Sequence, residues 1–137
     1  MLIGDLASRT GLTVKTLRFY ETVGILPETA RLPSGYRHYD DSALARLRFV
    51  KAAQAAGLTL AEIRQVVALR EGAGPPCQHV TDLLSAHAAD LDRRIAELTS
   101  LRDDIALLRA RAATLDPAAC DAGSVCHVIP TSGFPPC

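Results

Sequence analysis

Between Cys77 and Leu115, apolar residues recur at Leu84, Ala88, Leu91, Ile95, Leu98, Ile105, Leu108, Ala112 and Leu115. The steps are mostly three and four, which holds one narrow stripe on one side of a helix. No Pro or Gly interrupts the interior, while Pro75, Pro76 and Pro117 bracket it as start and stop signals. About 39 residues at roughly 1.5 Å each make a rod of about 58 Å. A rod longer than a small domain is wide cannot bury its stripe against its own chain. The pattern therefore predicts a dimer, in which this helix runs antiparallel to that of a second copy.

Upstream the same periodicity comes in short, capped pieces. Ile3, Leu6 and Ala7 predict a short helix stopped by Gly11. Thr13 reads as the cap of a second helix, with Leu12 and Leu17 placed as a staple, running to about Val23 before Gly24 ends it. Two short helices joined through a Gly-containing turn form the helix-turn-helix pattern, whose second helix reads DNA. On it Lys15, Arg18 and Tyr20 are expected to face outward, and Leu17 and Phe19 inward. Pro33-Ser34-Gly35 then predicts the turn of a small hairpin. Arg31, Tyr36, Arg37 and Tyr39 place cations beside aromatic rings there, as expected of a wing gripping the phosphate backbone. Asp40 or Asp41 can cap a third helix through Ala43, Leu44, Leu47, Val50 and Ala53, ending at Gly57. Thr59 and Glu62 make a capping box for a fourth, with Leu58 and Ile63 as its staple. That helix carries Ile63, Val66, Val67 and Leu69, and Arg46, Arg48 and Lys51 are expected on a solvated or phosphate-facing side.

Composition sharpens this picture in two ways. The chain has no tryptophan and only 4% aromatic residues, so aliphatic side chains must fill the core. Zero formal net charge hides an asymmetry: residues 1–72 hold ten Lys/Arg against seven Asp/Glu, and residues 73–137 five against eight. A basic front and an acidic back fit an anion-binding head on a solvated stalk. No apolar run is long enough for a membrane and no signal-peptide core opens the chain, so a cytoplasmic protein is expected. No recognisable catalytic motif is present, so an enzyme is not expected.

Three stretches resemble the MerR family of bacterial transcription regulators: Val14-Lys15-Thr16-Leu17-Arg18-Phe19-Tyr20-Glu21, Gly24-Ile25-Leu26-Pro27 and Gly35-Tyr36-Arg37-His38-Tyr39. Gly57-Leu58-Thr59-Leu60-Ala61-Glu62-Ile63 and the long helix extend the likeness to about residue 129. The resemblance implies a homodimer joined by antiparallel long helices and a mainly α fold. It also implies that the dimer acts with RNA polymerase at promoters whose elements are spaced too far apart, bending and untwisting that double-stranded DNA when effector binds. The expected organisation is a winged helix-turn-helix head over 1–72, a coiled-coil dimerisation helix over 77–116, and a metal-binding loop and tail over 117–137.

The cysteines point to the effector. Cys77 opens the long helix, and Cys120 and Cys126 follow its end, with Gly123 and Ser124 to turn the loop between them. Antiparallel pairing would bring Cys77 of one copy to the Cys120–Cys126 loop of the other. Three thiolates form a soft site that suits zinc, cadmium, lead or mercury, with His79 and His127 as candidate fourth ligands or hydrogen-bond donors to the ligands. Cys137 sits in a Gly/Pro-rich tail. The resemblance adds that family sensors of +2 ions recruit a cysteine from the start of the partner's long helix, where sensors of +1 copper or gold have serine. Cys77 thus points to a divalent ion. The chain departs from the family in its short Cys120–Cys126 gap and in lacking the adjacent cysteine pair of zinc sensors. A thiol-based redox sensor is the alternative, its cysteines forming a disulfide instead.

Overall fold

The computed structural model describes residues 1–72, 74–120 and 122–131. It is mainly helical and divides into two compact units, Met1–His87 and Ala88–Cys137. Among the described residues no helix is long and apolar enough to cross a membrane.

The first unit holds α1 (Ile3–Thr10), α2 (Val14–Thr22), α3 (Asp41–Ala55), α4 (Leu60–Gly72) and the first turns of α5 (Cys77–Thr114). The caps read from the sequence are present. Gly11 ends α1 at φ +70°, a conformation that costs a side-chain-bearing residue, and its N–H reaches the Ala7 carbonyl. The Thr13 hydroxyl accepts from the Thr16 N–H at 3.1 Å. Asp40 rather than Asp41 caps α3, accepting from the Ser42 and Ala43 N–H groups; the Ser42 hydroxyl, followed by the Ala43 N–H, holds its carboxyl below the usual range. At α4 the box is reciprocal: Glu62 N–H to Thr59 Oγ1 at 3.2 Å, and Thr59 N–H to Glu62 Oε1 at 2.9 Å.

One core joins these helices. Leu6, Leu17, Ile25, Leu26, Tyr39, Leu47, Val50 and Ile63 are fully enclosed, and Leu83 of α5 packs against the same cluster. Leu69 is the exception on α4, 39% exposed. Two expected surface cations tie the head together: Lys51 Nζ donates to the Thr10 carbonyl at 2.7 Å, and Arg46 reaches Glu71 at 2.7 Å and the Ile25 carbonyl. His87 Nε2 lies 2.8 Å from Glu62 Oε1, pinning the start of α5 to the α4 cap. The Thr59 N–H and His87 together hold the Glu62 carboxyl below the usual range.

In the second unit α5 continues to Thr114, and none of its 38 residues is buried. Leu91, Ile95, Leu98 and Ile105 of the apolar stripe stand about half exposed or more. Asp90 pairs with Arg93 and Arg94 on the charged side. A one-turn helix over Pro117–Ala119, capped by Asp116, leads into the loop beyond.

Candidate nucleic-acid interface and metal loop

The hairpin between α2 and α3 is small and real. Arg31 pairs antiparallel with Arg37, Leu32 N–H donates to the Tyr36 carbonyl at 2.6 Å, and Gly35 N–H closes the turn onto Leu32 at 2.8 Å. Gly35 sits at φ +86°, a conformation that the Pro33-Ser34-Gly35 turn assigns to the residue with no Cβ. The hairpin stands beside α2, and a cleft of about 480 Å³ between them is lined by Arg18, Thr22, Glu28, Arg31, Tyr36 and Arg37, among others.

What locks hairpin to helix is a polar cluster that sequence reading missed. Glu21, on the inner face of α2, is buried, and its carboxylate accepts from the Arg37 guanidinium on one oxygen and from the Tyr39 hydroxyl on the other. Burial, followed by the Glu21 carboxylate, pushes the Tyr39 hydroxyl above its ordinary pKa. Each member satisfies another, the condition under which a buried charge is tolerated.

Two expectations are corrected here. Tyr20 is not outward: it is 4% exposed and belongs to the core, beside Leu17, Ile25 and Leu26. Phe19, expected inward, is 49% exposed. Adjacent helical residues point about 100° apart, so only one of the two rings could join the core, and the pocket around Leu17 takes residue 20. Arg37 and Tyr39 are likewise turned inward, Arg37 half-buried against Glu21 and Tyr39 fully enclosed. Lys15, Arg18, Arg31 and Tyr36 do lie exposed, and they leave the cationic groups of helix and wing on view.

The cysteines fall in both units. Cys77, Cys120 and Cys126 are exposed free thiols. Cys120 and Cys126 line the same small cavity of about 230 Å³, walled by Ala112, Leu115, Pro117, Val125, His127 and Val128. Arg111, in the last turn of α5, donates from Nε to the His127 carbonyl at 3.0 Å and so ties the loop to the helix. His79 lies in the first unit, lining a groove with Gln65, Ala68, Leu69 and Gly72, and its Nε2 is out of solvent without a hydrogen-bond partner. Among the described residues no three His, Cys, Asp or Glu side chains of one chain converge as a metal site. Cys137 lies outside the described residues. The donor set fits a thiophilic ion: two sulfurs share a cavity whose other walls are mostly apolar.

A capped reader helix beside a hairpin wing, on one core, defines a winged helix-turn-helix DNA-binding head. Comparison with known proteins gives its lineage. Residues 1–70 match the model of the MerR HTH family regulatory protein, and residues 44–116 match the model described as MerR, DNA binding. The transcriptional regulator HmrR of Rhizobium leguminosarum bv. viciae is 38% identical over 103 residues, 74% of this chain and 78% of the relative. The mercuric resistance operon regulatory protein of Bacillus cereus is 32% identical over 109 residues, 80% and 83% of the two chains. Among solved structures, the lead(II) complex of the transcription regulator PbrR691 from Ralstonia metallidurans CH34 is similar. It is 39% identical with a TM-score of 0.70, over 81% of this chain and 86% of that one. The chain belongs to the MerR family of transcriptional regulators; it is a DNA-binding protein and not an enzyme.

Proposed function

We propose that this regulator senses a divalent thiophilic ion, mercury, lead, cadmium or zinc, and switches a promoter from repressed to active by distorting its DNA. The observation that carries the metal reading is the shared cavity of Cys120 and Cys126 at the end of α5. In this reading two chains pair through the exposed stripe of α5, running antiparallel, and Cys77 of the partner completes a trio of thiolates. The 38 residues of α5, at about 1.5 Å each, make the partner the natural source of that third sulfur. A relative named for mercuric resistance and a neighbour holding lead(II) support the ion class. Three thiolates around a divalent cation leave the site near −1; a monovalent ion would leave −2 in a partly desolvated loop, which is costlier. His127, at the cavity wall, and His79 are candidate additional donors.

The chemistry within the chain is separable by residue. Cys120 and Cys126 hold the ion as thiolates, and the Arg111 hydrogen bond to the His127 carbonyl positions the loop that carries Cys126. The test is titration of reduced, metal-free protein with mercury(II), lead(II), cadmium(II), zinc(II) and copper(I), followed by thiolate-to-metal absorption and chelator competition. Tight stoichiometric binding of a divalent ion is expected. Response to copper(I) alone would contradict the reading.

On the DNA side, Lys15 and Arg18 from α2 and Arg31 and Tyr36 from the wing are the proposed contacts. Arg37, held by Glu21, acts instead as a brace. The salt dependence of promoter binding separates the two roles. Arg31→Ala should reduce the slope of log K against log salt by about 0.9, the share of one phosphate contact. Arg37→Ala should weaken binding at every salt concentration and leave that slope unchanged. A slope reduced equally by both substitutions would place Arg37 on a phosphate.

A further inference from the structure

We infer that Phe19 reads DNA sequence by packing on the C5 methyl group of a thymine in the major groove, an inference that rests on the DNA-binding reading of α2. Four residues of α2 are exposed on its outward side: Lys15, Arg18, Phe19 and Thr22. They form two rows at four-residue spacing, Lys15 with Phe19 and Arg18 with Thr22. The Arg18–Thr22 row lines the cleft beside the wing, and the Thr22 hydroxyl is engaged with the Arg18 carbonyl at 3.0 Å. Phe19 does not line that cleft; it stands on the other row, in line with Lys15.

A single exposed apolar side chain needs no explanation by itself. Position distinguishes this one. The ring is 49% exposed on the reading face, and its contact with the Tyr20 ring is tilted, centroids 6.2 Å apart at 47°. The core has thus taken Tyr20 and left Phe19 among the cations. Phosphates and most base edges offer charge and hydrogen bonds, which a phenyl ring cannot answer. The major groove presents one apolar group, the thymine methyl, and phenylalanine is among the side chains that pack on it. Lys15 and Arg18, four and one residues before it, supply the charge that holds the helix in the groove. Phe19 is therefore a specificity-determining residue, its contribution confined to one base position in each half-site.

The probe is a duplex selected by the full-length dimer from a random-sequence pool. Each thymine of one half-site is then replaced singly by deoxyuridine, which removes only the methyl group. One such replacement should weaken wild-type binding about fourfold, the worth of one buried carbon at about 0.8 kcal/mol. Phe19→Ala should bind the thymine and deoxyuridine duplexes equally at that position and respond like wild type at the others. Phe19→Gln, which keeps length but not apolarity, should behave like Phe19→Ala; unchanged thermal unfolding of both variants shows that the exposed ring is not structural. Indifference of the wild type to every deoxyuridine would overturn the inference, as would methyl sensitivity that survives in Phe19→Ala. Equal weakening of Phe19→Ala on all duplexes, including unselected ones, would assign the ring to the sugar–phosphate backbone and overturn it too. Failure of the wild type to select any sequence would instead overturn the DNA-binding reading beneath it.

Discussion

Glu21→Ala is expected to destabilise the head by about 2–4 kcal/mol and to weaken DNA binding with it. The substitution leaves the Arg37 guanidinium and the enclosed Tyr39 hydroxyl without their common acceptor. Removing one partner of a fully buried pair costs about 3–5 kcal/mol. The Arg37 side chain is 28% exposed, so water recovers part of that loss. Glu21→Gln keeps an acceptor for Tyr39 and should lose less. The midpoint of urea unfolding measures both. An Ala variant as stable as wild type would mean that hairpin and helix are held by apolar contacts alone.

This cluster also marks where sequence reading stopped. The caps at Thr13, Asp40 and Thr59–Glu62 were legible because each is a local arrangement, written within four residues. The wing was legible for the same reason, as a turn between Leu32 and Gly35. Glu21 meets Arg37 and Tyr39 across 16 and 18 residues of chain, and charges at such separations read as solvated until the fold brings them together. The inversion of Phe19 and Tyr20 has a related cause. A tyrosine two residues from an arginine and next to a glutamate looks like a surface residue, but its body is apolar, and the pocket formed with Ile25 and Leu26 decides which ring enters. The long helix was the clearest feature in the sequence, and it runs to Thr114 with its stripe exposed. The cysteine spacing predicted a loop site; Cys120 and Cys126 line one small cavity, which is where the metal site is proposed. The sequence of a single chain cannot display a ligand contributed by another, so Cys77 entered only through antiparallel pairing.

The other large effect concerns metal. Cys120→Ser and Cys77→Ser should each lower divalent-ion affinity by more than about 100-fold, the most that loss of a group merely hydrogen-bonded to a ligand produces. Neither change should alter the unfolding midpoint of the metal-free protein, since both thiols are exposed. Chelator competition gives the affinities. Cys77→Ser should also weaken response to divalent ions far more than any response to copper(I), because it removes the negative charge that favours the +2 ion. Retention of wild-type divalent affinity by Cys77→Ser would confine the site to the loop.

The most direct measurement is the metal stoichiometry of a purified heterodimer, one chain carrying Cys77→Ser and the other Cys120→Ser. Each mutant homodimer lacks a ligand at both sites. In the heterodimer the two substitutions coincide in one site. In the other, native Cys77 of the Cys120→Ser chain meets native Cys120 and Cys126 of its partner. Tight binding of one ion per heterodimer, half the wild-type capacity, is the expected result. A heterodimer that binds no ion tightly would show that the thiolates are not shared between chains.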